Sequence, residues 1–377
     1  MRRFVFLFPA LCLLVLALSS LGVAEKTAFD LKQFKLPDGF HIAVYAEVDG
    51  PRMLTFSPGG VLLVSESGEG KVAALPDSRH TGKAEREVVI LKGLNEPHGI
   101  GFYGGKLYVA ENDKVRSYDW DEANLRATNP KNIADLPSGG GHSTRSLVFH
   151  GNKLYVSAGS SCNACIEKDS RRAAVMEMNP DGSGQRVFAK GLRNAVGVAV
   201  NPKTDTVWVT VNGRDWLGDD LPPEVIFDLG QSGGDFGWPY CYGEHIPDPN
   251  FTKAGDNRCQ SVIGPKVQMQ AHSAPLGLAF NQGSMFPPEY RNSIFVAFHG
   301  SWNRAVPTGY KVVRVKTDDR GQPVGGPQDF ITGFLAPGET KKGRWMGRPA
   351  GIAFGGDGSM YLSDDSGDKI YRVTYGK

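Results

Sequence analysis

The chain has 377 residues and a formal net charge of +2, and its 42 Lys and Arg against 40 Asp and Glu form no basic run or basic helix. That balance argues against a nucleic-acid partner, which would need a clustered cationic surface. Its 48 glycines and 24 prolines, set among many Val, Phe and Tyr, point to short strands and many turns rather than long helices.

Arg2 and Arg3 precede an apolar run from Phe4 to Leu18, and the small residues Gly22 and Ala24 follow. This is the charged, apolar and small-residue order of a secretory signal. Residues 1–24 are expected to be removed, leaving 25–377 as a secreted or periplasmic domain. A membrane anchor is the competing reading of so long an apolar run. No later stretch is apolar and long enough to span a membrane, so the mature chain is expected to have no membrane span.

One pattern then recurs along the chain. A short strand ending in Phe or Val is followed by a glycine-containing turn and a second strand with a Leu-Tyr-Val-like core. The first strands are Met53–Phe56, His98–Phe102, Arg145–Phe149, Val196–Val200, Leu276–Phe280 and Ala350–Phe354. Their partners are Val61–Val64, Lys106–Val109, Lys153–Val156, Thr206–Val209, Ser293–Val296 and Ser359–Leu362. The first strands end 46, 47, 51, 80 and 74 residues apart, and the shorter steps match a propeller blade of about 40–50 residues. An all-β, six-bladed β-propeller with long inter-strand loops follows, with insertions expected over 214–272 and 305–345. Small residues alternating with apolar ones suit strands crowded around an axis. The ring is expected to close by pairing His41–Glu47 with Lys369–Thr374. A pair of β-sandwiches would not repeat one motif at each strand entrance.

In a propeller the loops entering the innermost strands ring the mouth of the central channel. Those positions carry Arg52, His98, His142 with Arg145, Arg193 with Asn194, His272, and Arg348, and the acids among them reduce to Glu96. A concave cationic site favours an anion, and guanidinium groups match carboxylates bidentately. The expected ligand is a polyanion with several carboxylates. His142 follows Gly139-Gly140-Gly141, a backbone able to bring a base close to a ligand.

Four cysteines follow the first 24 residues. An even count in an oxidising compartment favours disulfides, and nearness in sequence pairs Cys162 with Cys165 and Cys241 with Cys259. Cys-Asn-Ala-Cys is also compatible with a redox dithiol or a metal site. The loop Asn212–Asp220 is rich in carboxylates and carbonyls, as a calcium site would be. Gly233–Tyr240 gathers glycines and aromatics, Trp238 among them, that could wall a planar ligand.

Taken together, Gly-Gly-Gly-His142 before Leu-Val-Phe, Gly-Leu-Arg193-Asn194, Asp-Phe-Gly-Trp238-Pro, Phe298-His299-Gly300-Ser301-Trp302-Asn303-Arg304 and Gly347-Arg348-Pro349 resemble the soluble quinoprotein sugar dehydrogenases, in particular the sorbosone dehydrogenase-like branch. The resemblance covers nearly all of the mature chain. It implies pyrroloquinoline quinone as the polyanion and calcium as its metal. It makes His142 the general base and sets Arg193 by the quinone oxygen, where negative charge develops. It gives cofactor contacts to Arg193, Asn194, Arg304, Arg348, Trp302 and Trp238. It draws calcium to backbone carbonyls of Gly213 and Arg214, with Asp215 in the same loop. In soluble glucose dehydrogenase an aspartate precedes the base and orients it; Gly141 stands there in this chain, so the orienting partner must come from elsewhere.

The activity so implied is oxidation of a sugar, polyol or sugar aldehyde, with electrons passed to an external acceptor. Two other classes remain. A calcium-dependent lactonase or esterase on the same fold would need Glu, Asn and Asp side chains around a metal at the channel mouth. A non-catalytic binding propeller of the cell envelope would need neither base nor cationic ring.

Overall fold

The computed structural model describes residues 30–376, apart from 254, 337 and 341–343. The expected signal segment, 1–24, lies outside the described residues. Among the described residues no helix is long and apolar enough to cross a membrane.

Six antiparallel sheets of the blade type succeed one another along the chain. The first runs outward from Pro51–Phe56 through Leu62–Glu66 and Lys71–Leu75 to Val88–Lys92. The innermost strands of the next five are Ile100–Tyr103, Leu147–His150, Ala195–Asn201, Pro275–Phe280 and Pro349–Phe354. The six segments expected to be innermost therefore hold that place. Second strands lie between blade neighbours on both faces, which is why Leu62–Glu66 and Ile294–Phe298 are buried at every position. Apolar side chains from adjacent blades meet between the sheets. Tyr155 and Phe188 pack on Val207, Val209 and Phe227, and Trp208 and Ile226 pack on Leu278, Val296 and Phe298. Around the axis the inner strands touch backbone to backbone. A Cβ at Gly197 would sit 2.2 Å from the Leu276 carbonyl oxygen and one at Gly351 2.3 Å from that of Arg52, so only glycine fits there.

The two long steps of the repeat are not loop throughout. Glu224–Asp228 and Val267–Met269 form the outer half of the fourth blade, and Lys311–Thr317 and Pro323–Ile331 that of the fifth. The strand Glu224–Asp228 is almost wholly buried, so it shows no polar alternation to mark it. Pro323–Ile331 is an exposed outer strand carrying two glycines and two prolines. The insertions proper are shorter, at about 229–266 and 332–348. Within the first, Gly234–Asp235 runs parallel to Ala189–Lys190 and covers part of the third blade's open edge.

The ring closes as expected. Phe40–Glu47 is the outermost strand of the sixth blade, paired with Lys369–Tyr375 from Phe40 opposite Tyr375 to Glu47 opposite Lys369. Phe40 is packed against Phe286, Tyr290, Phe330 and Tyr375 with ring centroids 4.8–5.0 Å apart.

Candidate active site

The entrances to the inner strands converge on a cavity of about 430 Å³ at one end of the channel. Arg52, His142, Arg193, Asn194, His272 and Arg348 all line it. Two residues of the expected ring do not. His98 is fully buried and faces a separate cavity of about 250 Å³ with Glu96, Ser143 and Thr144. Arg145 is also fully buried, turned back beneath the His142 loop.

Arg145 holds that loop from below. Its guanidinium donates to the carbonyls of His142 at 2.9 Å, Thr144 at 2.8 Å and Pro137 at 2.6 Å. Arg172 donates to the carbonyls of Gly139 and Gly159. His142 is thus delivered by a flexible sequence that two buried cations fix. Its Nδ1 lies 2.8 Å from the carbonyl oxygen of Ser160 and 3.0 Å from the Ser160 hydroxyl. A carbonyl only accepts, so Nδ1 carries the hydrogen and Nε2 is left with its lone pair. Burial, joined by the charge of Arg193, lowers the imidazole pKa to about 4 against the opposing pull of the Ser160 carbonyl. The ring is a neutral acceptor at ordinary pH. Ser160 therefore fixes the orientation of the imidazole. Gly159 must remain glycine, because a Cβ there would lie 2.5 Å from Asn194 Oδ1 and 2.7 Å from the Cβ of His142.

Arg193 enters beside His142 and is bound on three of its edges. Nε donates to the Asn163 carbonyl at 2.8 Å, Nη2 to Asn163 Oδ1 at 2.9 Å, and Nη1 to the Asn212 carbonyl at 3.2 Å. Asp215 Oδ2 stands 3.4 Å from Nη2. Asn194, its neighbour, has its Oδ1 buried with no protein partner.

Opposite this pair, Arg348 donates through Nε to the His299 carbonyl at 3.0 Å and through Nη2 to the Gly300 carbonyl at 2.8 Å. It lies over the Trp345 ring at 5.0 Å. Asp365 binds Arg52 and accepts from His299 Nε2 at 2.9 Å. Burial pushes Asp365 up, but His299 and Arg52 reverse this and hold its carboxyl below the usual range. Burial likewise leaves His299 a neutral donor, with a pKa of about 4.

The wall between them is acidic, which the strand entrances alone did not show. Asp215 and Glu224 line the cavity with Gly213. Glu224 accepts from the amides of Gly213 at 2.6 Å and Ala274 at 3.3 Å, and burial raises its carboxyl to about 7. His272 and Ala274 here hold φ values of 63° and 52°. Non-glycine residues in that region cost free energy and tend to gather at functional sites.

Trp302 lines the cavity at its rim, edge-to-face with exposed Trp216 at 5.6 Å. Arg304 does not line it. Its guanidinium donates to the Asp219 carbonyl and, at 3.0 Å, to Asp220 Oδ1. The Ala305 amide joins the same acidic loop through Asp219 at 3.1 Å. Arg214 and Trp238 line a second, small cavity that Arg193 also borders. There Arg214 pairs with Asp248 at 2.9 Å. Both expected disulfides are present, Cys162–Cys165 and Cys241–Cys259.

The sequence reading did not single out Glu224, Asn163, Ser160 or Asp365. Glu224 lay in a stretch read as insertion, though Pro222-Pro223 before it was a usable sign of a strand start. Asn163 was hidden in a motif read for its cysteines. Ser160 acts through its carbonyl as well as its hydroxyl, and the carbonyl leaves no side-chain signal.

A family model described as TrAA12-like matches residues 34–376. An uncharacterized protein of Borreliella burgdorferi is 31% identical over 385 residues, spanning 96% of this chain and 96% of that one. A pyrroloquinoline quinone-dependent pyranose dehydrogenase of Coprinopsis cinerea is 26% identical over 407 residues. That alignment takes in 90% of this chain and 54% of the relative, so the chain spans about half of that protein's length. The fold is similar to a calcium structure of a family AA12 carbohydrate-active enzyme from Trichoderma reesei, with a TM-score of 0.79 and 23% identity over 91% of this chain and 97% of the other.

Proposed function

The chain belongs to the TrAA12-like family, and from that premise and the geometry of the funnel we propose that it oxidises a sugar, polyol or sugar aldehyde, using pyrroloquinoline quinone and calcium and passing electrons to an external acceptor. The supporting observation is a neutral histidine, its basic nitrogen left free, set in a cavity that also carries Arg52, Arg193 and Arg348.

The residues fit such a cofactor. Pyrroloquinoline quinone bears three carboxylates, and Arg348 keeps Nη1 free of protein partners among the described residues while Nε and Nη2 are held. Asn194 Oδ1 is a buried acceptor lacking a donor. Gly213, Asp215 and Glu224 offer oxygen to a hard cation. Among the described residues, the one trio of close side-chain metal ligands is Cys162, Cys165 and Glu167, and its sulfurs are joined to each other. Calcium in the funnel would draw on the oxygens of Gly213, Asp215 and Glu224 and on the cofactor itself.

When bound, the quinone supplies a two-electron acceptor and calcium a Lewis acid beside it. His142 Nε2 would take the proton of the substrate hydroxyl, that of the hydrate where the substrate is an aldehyde, while hydride leaves the carbon bearing that hydroxyl for the two-electron acceptor. Ser160 keeps the proton on Nδ1 and so keeps Nε2 basic. Arg193 sets positive charge where negative charge gathers. The aldose or sorbosone type of the substrate, and export with cleavage after Ala24, are part of the same proposal.

The test is reconstitution. Purified apo-protein is mixed with pyrroloquinoline quinone and calcium, and dye reduction is followed with aldoses, polyols and sugar aldehydes. Saturable cofactor binding with sugar-dependent reduction is expected, and a calcium chelator should abolish it. Absence of cofactor binding would sink the reading. Binding without turnover of any of these substrates would leave a binding propeller.

A further inference from the structure

Cys162, Asn163, Ala164 and Cys165 are closed into a small ring by the bond between the two sulfurs, with Cα atoms 6.2 Å apart. Cys162 and Asn163 line the funnel, and 162–165 has no regular secondary structure. Its contacts nonetheless hold both of the groups assigned to chemistry. The Asn163 carbonyl and Oδ1 take the Nε and Nη2 hydrogens of Arg193. The same Oδ1 accepts from the Asp215 amide at 2.8 Å, and Nδ2 donates to the Asp215 carbonyl at 3.2 Å. Ser160, two residues before the ring, accepts from His142 Nδ1, donates its hydroxyl to the Cys162 carbonyl at 2.6 Å, and donates its amide to the Arg193 carbonyl at 2.7 Å. Gly141, just before the base, donates its amide to Ser161 at 2.9 Å.

An irregular loop of this kind keeps a fixed shape only where something restricts its backbone. On the far side Glu167 ties Ser161, through its amide at 2.6 Å and its hydroxyl at 2.8 Å. Across Asn163 the restraint is the disulfide. Both of its sulfurs belong to half-buried residues, whereas Cys241 and Cys259 are 4% and 2% exposed. A reductant therefore reaches the first bond more readily than the second.

We infer that the Cys162–Cys165 disulfide is a redox-addressable clamp on the active site, in which Asn163 is a positioning residue for Arg193 and Ser160 carries the same restraint to His142. Reduction by an external dithiol opens it. The dithiol gives up two electrons and two protons and becomes a disulfide, and the protein bond becomes two cysteine thiols. Opening lets Asn163 swing away, so Arg193 and the imidazole lose their fixed relation. This rests on the roles proposed above for His142 and Arg193.

The test compares wild type, oxidised and dithiol-reduced, with Cys162→Ser/Cys165→Ser, Asn163→Ala and Asn163→Asp. In the apo-protein, hydrogen exchange at the Gly141 and Ser160 amides and the nitrogen NMR shifts of the His142 ring report geometry without any cofactor. Opening the clamp is expected to speed that exchange by about tenfold or more with the global unfolding transition retained. It should also move the His142 ring shifts. With cofactor and sugar, kcat should fall on the order of 10- to 100-fold, KM changing less, as displacement of a reacting group predicts. Asn163→Ala should match that loss, and Asn163→Asp, which keeps the acceptor for Arg193, should recover most of it. Reoxidation of reduced wild type should restore kcat. Unchanged exchange and ring shifts in the double serine variant would overturn the clamp, whatever the activity. Changed exchange and shifts in a protein that oxidises no sugar would uphold the clamp and remove the catalytic reading instead.

Discussion

A free imidazole is half protonated near pH 6.5, and a base that must be neutral would lose its function below that point. His142 is shifted to about 4, by burial first and by Arg193 next. The sign follows directly: a lowered pKa keeps the deprotonated, active ring populated to lower pH. The acid limb of kcat/KM is therefore expected below 6.5, toward 4, and a limb at 6.5 would show that the ring is not buried as described. His142→Ala should lower kcat by about 10²–10⁴-fold, the usual worth of a positioned base. Cofactor affinity, measured by fluorescence titration, should change little. At this scale the sequence was legible where chemistry is written in side chains. Three glycines before a histidine marked His142, and Gly-Leu-Arg-Asn marked Arg193. It was silent on Ser160, whose carbonyl any residue could supply, and on Glu224, whose importance lies in having been buried.

At the scale of loops and strands, an arginine near a strand entrance turned out to have three distinct uses. Arg348 faces the cavity, Arg145 fastens a loop from beneath, and Arg304 braces the rim by joining 303–305 to Asp219 and Asp220. Arg348→Ala should weaken cofactor binding by about 10- to 100-fold, the loss of a charge-assisted contact of roughly 1.5–3 kcal/mol. Arg304→Ala should change it by less than about threefold, because its partners, the Asp219 carbonyl and the exposed Asp220 carboxylate, belong to the protein itself. Isothermal titration of the two variants separates the roles. Arg145→Met should lower unfolding free energy by roughly 1–3 kcal/mol, since it strands buried carbonyls without a donor; a denaturant curve reads this. Blade order was legible because inner strands share a glycine-alternating pattern forced by crowding at the axis. The outer strands of the fourth and fifth blades were not. Of these, Glu224–Asp228 is almost wholly buried and Pro323–Ile331 is mostly exposed, and neither alternates.

For the molecule as a whole, stability depends on one seam. The sixth blade is made of three C-terminal strands and one N-terminal strand, and aromatic packing around Phe40 reinforces the join. Phe40→Ala should cost about 3–5 kcal/mol, as truncation of a buried aromatic does, and lower the thermal midpoint accordingly. Calorimetry would check this, and a loss under about 1 kcal/mol would mean that the seam is held by its backbone pairing alone. That pairing was foreseen in its segments, His41–Glu47 with Lys369–Thr374, and each observed strand is longer by one residue.

The seam also has a consequence for how the protein comes to exist. Glu47 meets Lys369, so Phe40–Glu47 lacks this partner until Lys369–Tyr375, far along the chain, has been made. Contacts between such distant segments form late and slowly, and an unpaired edge is open to misassembly in the meantime. A chain cut short before Lys369 can build five blades and still have no circle. Arrival of Lys369–Tyr375 is thus recorded in the closing of the ring, and a protease that tests for loose edges can tell closed molecules from open ones without reading a single catalytic residue.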